Sequence, residues 1–158
     1  IENYKKSISI YSTNNESFLC LARVYRSHKK PKEAIKMYKQ VIQNNPNNVS
    51  AYEEIGYLLF KNGDYISSKE YLNTAIQIDS TSAIALTNIA LCELAIGNVE
   101  KSKSIFIKLI EKKKLNTKSV LNDLKVLVNK NIYKNNAIEI IELICDKTRV
   151  EFDLRINK

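Results

Sequence analysis

Few residues in this chain are of the kinds that do covalent chemistry, and their spacing keeps them apart. Its one histidine, His28, stands in "SHKKPK", a turn-like run of lysines with no nucleophile or carboxylate arranged around it, and reads as a solvated loop residue. Cys20, Cys92 and Cys145 lie far apart in apolar stretches and form no CxxC pair. A zinc site wants about four clustered nitrogen or sulfur ligands, so no metal is assigned. The thiols are expected to be small, reduced core or groove residues, which points to an intracellular, cytoplasmic setting. Glu53 and Glu54 are neighbours, and on a helix they would point about 100° apart, unlike two carboxylates facing one substrate. The sequence holds no glycine-rich phosphate loop, HExxH or GxSxG. No catalytic residue and no cofactor is therefore assigned, and the chain is read as non-enzymatic.

Charge is the other resource. The net charge is +8, in a composition rich in Asn, Lys and Ile that raises positive charge without any functional cause. Between Lys101 and Lys134 ten lysines face two acids, a surplus of eight, while the remaining fifteen basic and fifteen acidic residues cancel. Lys108, Lys112, Lys113, Lys114 and Lys118 form the candidate basic patch. Such a patch suits an acidic protein, a nucleic acid or an anionic membrane. The lysines fall on both helix faces with few aromatics or arginines between them, which serves base stacking poorly. A solvated lysine-rich surface is the simpler reading, and nucleic acid is not favoured.

The elements that must carry these residues are helices. The 158 residues include only 3 Gly and 2 Pro, and 44% are hydrophobic, enough to bury a core without many strands or tight turns. The most apolar window, "AIALTNIALCELAIG" (83–97), carries Asn88 and Glu93 and falls short of the roughly 20 residues a membrane span requires. No transmembrane segment or signal peptide is assigned. The first residues read as mid-helix, so the chain is expected to be a piece of something larger.

The helices repeat. "FKNGDYISSKEYLNTAIQID" starts at Phe60, and 34 residues later comes "LAIGNVEKSKSIFIKLIEKK". At that interval Lys29, Gly63 and Gly97 align, as do Tyr38, Leu72 and Phe106, and Leu21, Ile55 and Ile89. Ala22, Gly56 and Ala90 make one column of small residues, and Ala34, Ser68 and Ser102 a second. Helices approach closely only where side chains are small, and large apolar residues then fill the flanking spaces. Spacing of i, i+3, i+4, i+7 in "FLCLARVY" and "AIKMYKQVI" gives each helix one apolar stripe. "NNPNN" (44–48) ends a unit, and "NGD" (62–64) supplies a left-handed position between its two helices. Each unit is thus a helical hairpin that buries its faces by stacking on its neighbours.

These features resemble the tetratricopeptide repeat (TPR) family, with Tyr52, Ile55, Gly56, Gly63, Asp64, Tyr65 and Ala75 carrying the match and Pro46 at the unit boundary. The resemblance implies an all-α, right-handed α-solenoid of helical hairpins over residues 1–146. Three full repeats (15–48, 49–82, 83–116) are flanked by a partial one ending near residue 12, with Tyr4 in the Tyr38 column, and a degenerate one at 117–146. In the latter Asp123 takes an apolar position and one extra residue is needed to align Ala137. Glu93 departs from the pattern and has no account at this level. The tail 147–158 includes the alternating "RVEFDLRINK", read either as a capping segment over the last helix or as the first strand of a following domain.

The resemblance also implies a groove lined by the first helix of each unit. Its candidate residues are Arg23, Arg26, Glu53, Tyr57, Phe60, Asn88, Leu91, Leu94 and Lys125. Tyr57, Phe60, Leu91 and Leu94 would form an apolar floor, or else simply pack between repeats, and Arg23 and Arg26 would grip carboxylates. Chaperone-binding members of the family clamp a C-terminal carboxylate with two lysines, two asparagines and an arginine. The matching positions here are Leu19, Arg23, Glu54, Ile84 and Asn88, none of which fits. One unit later they are Glu53, Tyr57, Asn88, Lys118 and Asn122, of which two fit, so a chaperone clamp is not expected. The expected function is a protein-interaction scaffold that binds a peptide or helix of a protein partner. The alternatives are an anion-binding helical repeat working through the 101–134 lysines, and the regulatory arm of a larger enzyme.

Overall fold

A computed structural model describes residues 15–153, and among them there are eight α-helices and no strand. They are α1 (Asn15–Ser27), α2 (Pro31–Asn44), α3 (Val49–Asn62), α4 (Tyr65–Ile78), α5 (Ala83–Ala95), α6 (Val99–Glu111), α7 (Thr117–Asn129) and α8 (Lys134–Thr148). Each odd-numbered helix pairs with the next as a hairpin. The fold class is all-α, of the solenoid kind built from such hairpins. Helix starts at residues 15, 49, 83 and 117 are spaced by the 34-residue sequence period.

Local chemistry sets these boundaries. Asn48, Ser82 and Asn116, again 34 apart, accept hydrogen bonds from Ala51, Ala85 and Ser119 N–H at 2.9, 3.0 and 3.2 Å. Each satisfies one of the donors a helix start leaves over. Asp64 does the same for Ser67 at 3.1 Å. Within the hairpins, Lys29, Gly63, Gly97 and Asn131 all adopt positive φ, of 55°, 89°, 92° and 56°. The column is therefore a backbone requirement, met in two units by glycine and in two by residues with a Cβ. The extra residue of the last hairpin falls in its turn, where Tyr133 is also left-handed at φ 42°.

The chain forms two compact units, residues 1–80 and 81–158. In the first, α2 packs on α3, joining the two hairpins. Its core gathers Phe18, Ala22, Ala34, Tyr38, Val41, Ala51, Ile55 and Leu58. In the second, α6 packs on α8 and α5 on α7, around Phe106, Leu121, Leu124, Leu127, Ile140, Ile141 and Ile144. The small columns face one another inside the hairpins. The Ser68 hydroxyl donates to the Gly56 carbonyl at 2.7 Å, and the Ser102 hydroxyl donates to the Ala90 carbonyl at 2.8 Å. Leu72 packs so tightly over Gly56 that a Cβ there would lie 2.6 Å from Leu72 Cγ.

The alternating tail gives no strand over its described part. Arg149, left-handed at φ 55°, ends α8, and Val150 N–H donates to the Cys145 carbonyl at 3.2 Å. The first twelve residues, with the expected partial repeat and Tyr4, lie outside the described residues, as do Leu154 and Ile156.

Candidate functional site

In the first unit, α1 and α3 are the first helices of successive hairpins. Arg26, near the end of α1, reaches the Glu54 carboxylate of α3 at 2.5 Å, with 43% and 29% of the two side chains exposed. Arg23, one turn earlier, is exposed. Beneath them Tyr38 of α2 is buried, and its hydroxyl lies against Glu54 without a well-directed hydrogen bond. Burial first, and then the Glu54 charge, pushes the phenol up to about 12, while Arg26 and Arg23 pull it down. Half-buried Tyr57, on α3, holds the Lys61 ammonium 5.8 Å from its ring centre. The result is an exposed arginine beside a salt-linked arginine, with an aromatic on the neighbouring helix. Such a surface can accept a carboxylate and an apolar side chain together.

Other candidate groove residues are placed differently. Phe60, at 2% exposure, packs 5.7 Å from the Tyr65 ring. In the second unit Leu91 and Leu94 are wholly buried, and Asn88 is nearly so. Glu53 is also buried. For Phe60, Leu91 and Leu94 this burial corrects the expected apolar floor and agrees with the alternative of packing between helices, and it withdraws Asn88 and Glu53 from the open surface as well: α5 is apolar on most of its circumference, so its leucines fill the core. Arg26 is likewise already paired. Lys125, on α7, donates to the Asp153 carbonyl at 3.0 Å and lies 5.8 Å from the Phe152 ring centre.

Lys108, Lys112, Lys113, Lys114 and Lys118 are all exposed. Three of them finish α6: Lys112 N–H donates to Lys108, Lys113 N–H to Ile110 and Lys114 N–H to Leu109, with Lys113 left-handed at φ 52°. Cations at a helix C-terminus oppose the negative end of its dipole, so part of the cluster has a structural cause. Lys103 is engaged too, 2.6 Å from Glu139 and 3.5 Å from Glu100. The Glu139 hydrogen bond above all, helped by both carboxylate charges and opposed by desolvation, holds its ammonium above the ordinary lysine range.

Glu93, without an account in sequence, is fully buried. It accepts from Asn98 Nδ2 at 2.7 Å, and Lys101 Nζ sits 2.7 Å from its other oxygen. The signal was local: the partners lie five and eight residues downstream, across the turn.

Among the described residues no group of three or more His, Cys, Asp or Glu is placed to hold a metal ion. His28 is exposed and contacts the Val24 carbonyl and Ser27 at the end of α1. Cys145 has its thiol pushed up by burial, away from the reactive thiolate. No described helix is long and apolar enough to cross a membrane.

Residues 22–63 match a family model described as TPR repeat, and residues 49–82 one described as tetratricopeptide repeat. The fold is similar to the crystal structure of MamA, with TM-score 0.70 and 20% identity over 92% of this chain and 85% of that one. It is similar also to YrrB, described as a TPR protein with an unusual peptide-binding site, with TM-score 0.67 and 18% identity over 92% of this chain and 75% of that one. A further likeness is to the first TPR of Spaghetti (RPAP3) bound to the HSP90 peptide SRMEEVD, with TM-score 0.62 and 14% identity over 86% and 94%. Residues 22–82 thus match tetratricopeptide repeat models, and the described helical hairpins share the fold of these solved structures.

Proposed function

We propose that the chain is a protein-interaction module that binds an acidic segment of a partner protein on the face of the first unit carried by α1 and α3. The observation behind this reading is the exposed Arg23 one turn from Arg26, with Tyr57 on the adjoining first helix. Arg26 is held in place by Glu54, so its guanidinium is ordered before any ligand arrives, and less side-chain freedom is lost on binding. Arg23 offers an open planar fork for a carboxylate, and Tyr57 an amphipathic surface for a neighbouring side chain. YrrB, with its unusual peptide-binding site, and the first TPR of Spaghetti, with its bound peptide, support peptide recognition by this fold. The lack of the chaperone-clamp residues argues for a different acidic ligand. A cytoplasmic, non-catalytic role accords with this reading.

The test is selection from a displayed random-peptide library with the full chain, followed by binding measurements on Arg23→Glu and Tyr57→Ala. Selected peptides are expected to be rich in Asp and Glu and to lose binding to both variants while helical circular dichroism is kept. Peptides that bind the variants as well as the parent would refute the assignment.

A further inference from the structure

Five lysines that a peptide-binding face leaves unexplained gather at one end of the second unit. Hairpins α5–α6 and α7–α8 each run out and back, with α5 packed on α7 and α6 on α8. The starts of α5 and α7 and the ends of α6 and α8 therefore share one end of that unit. Lys108 lies in the last turn of α6, Lys112, Lys113 and Lys114 follow it, and Lys118 is in the first turn of α7. Glu111 is the one acid among them, so residues 108–118 carry a surplus of four positive charges, five against one. All five lysines are exposed, and none is paired with a described carboxylate. Lys101, Lys103 and Lys125 of the same unit, by contrast, are each engaged by a protein oxygen. The end of α6 does not need so many cations: a helix C-terminus is equivalent to about half a negative charge, which one lysine offsets. At the end of α8, Lys147 and Arg149 are balanced by Asp146 and Glu151, so the surplus belongs to 108–118 alone. The same end also leaves large apolar side chains in water. Ile84, in the first turn of α5, is 60% exposed, and Val150, just past α8, is 38% exposed.

We infer that this end of the second unit docks on a membrane surface rich in anionic phospholipid. The lysines meet the headgroup phosphates as point charges, while Ile84 and Val150 enter the boundary between headgroups and acyl chains. Charge and a small apolar insertion are the two signals that reversible membrane attachment combines. Nucleic acid is the poorer fit. Residues 108–118 hold no aromatic ring for a base to stack on and no arginine to fork onto a base edge, and exposed aliphatic side chains beside the lysines add nothing to a phosphate backbone. The surface shares no residue with the α1–α3 face, so the two readings stand or fall separately.

The experiment sediments the full chain with sucrose-loaded vesicles of phosphatidylcholine, either pure or with about one-third phosphatidylserine. The chain is expected to pellet with the anionic vesicles only, and less so as salt rises, because screening weakens each contact. Each lysine near the surface raises partitioning about fivefold. Lys112→Glu, Lys113→Glu and Lys114→Glu combined should therefore lower it by at least about a hundredfold, with helical circular dichroism kept. Lys114→Gln with Lys118→Gln, which leaves α6 untouched, should give a smaller loss in the same direction. The chain contains no tryptophan, so Ile84→Trp reports on that position alone, and its emission should shift to the blue on anionic vesicles. Equal pelleting with the two vesicles, or undiminished pelleting of the charge variants, would overturn the proposal. So would an unshifted Ile84→Trp emission while the chain pellets. Labelled oligouridylate and polyglutamate are the competing probes. Retention of either one, lost in the triple variant and without vesicle pelleting, would give the lysines to that partner and overturn the membrane assignment.

Discussion

The Ser68 hydroxyl donates to the Gly56 carbonyl across the α3–α4 hairpin at 2.7 Å, joining the two small-residue columns where the helices come closest. Ser102 and Ala90 repeat the arrangement 34 residues on, at 2.8 Å. Ala34 fills the same column in the first hairpin without a hydroxyl, so size is the requirement and the hydrogen bond an addition. Ser68→Ala should therefore cost about 1 kcal/mol in a urea melt. Gly56→Ala should cost more, roughly 1–3 kcal/mol. The added Cβ meets fully buried Leu72, and that overpacking outweighs the gain of about 1 kcal/mol from replacing a helical glycine.

The left-handed column makes opposite predictions for its members. Lys29→Gly and Asn131→Gly relieve a Cβ at φ 55° and 56°, and each should stabilise the chain by about 0.5–1 kcal/mol in chemical denaturation. Gly97→Ala should destabilise it by more than Gly63→Ala. Both occupy positive φ, but a Cβ on Gly97 would also press on the Tyr133 ring, 2.8 Å from Cζ, whereas Gly63 faces open space.

Tyr38 gives a pH signature. Its phenol titrates near 12 in the folded chain instead of near 10, so the neutral form is the one the fold favours. The stability linked to it is complete below pH 10 and is lost as pH rises toward 12. Among the nine tyrosines, the tyrosinate absorbance near 295 nm should show one late step that vanishes in Tyr38→Phe. Tyr38→Phe should also fall less in stability than the parent between pH 10 and 12. Ionisation with the ordinary phenols would contradict the burial of this hydroxyl under Glu54.

Glu93 is a charge that the core of the second unit encloses. Asn98→Ala removes a hydrogen bond to a buried carboxylate and should cost about 1–3 kcal/mol. Lys101→Ala should cost less, since its own side chain is 63% exposed and screened by water. Thermal melts of the two variants, compared at one ionic strength, order the effects. A larger loss from Lys101→Ala would show that Coulomb attraction, not hydrogen bonding, holds Glu93.

The periodic part of this fold was open to reading because its causes are local. Side-chain size at Ala22, Gly56 and Ala90, caps at Asn48 and Ser82, and glycine at 63 and 97 recur with the unit, so each position supports the others. Lys29 could be recognised as left-handed only through the column it shares with those glycines. Surface pairings followed other rules. Arg26 and Glu54 lie 28 residues apart, and Lys103 and Glu139 lie 36 apart, neither matching the period. Long flexible side chains meet according to how the hairpins pack, which no spacing encodes. The leucines of α5 were ambiguous for the opposite reason: a helix apolar on most sides does not say which side stays open, and Leu91 and Leu94 proved to be core. The tail's alternation suggested a strand, yet alternation needs a partner strand, and Val150 and Phe152 turn back on helices instead.

The proposed role stands most directly on whether the α1–α3 face recognises carboxylates. Isothermal titration of one library-selected acidic peptide into the full chain and into Arg23→Glu decides it. Charge reversal is expected to reduce affinity by at least tenfold, about 1.4 kcal/mol or more, with the thermal melting curve unchanged. Equal affinity for the two proteins would contradict the assignment of this face as the partner site.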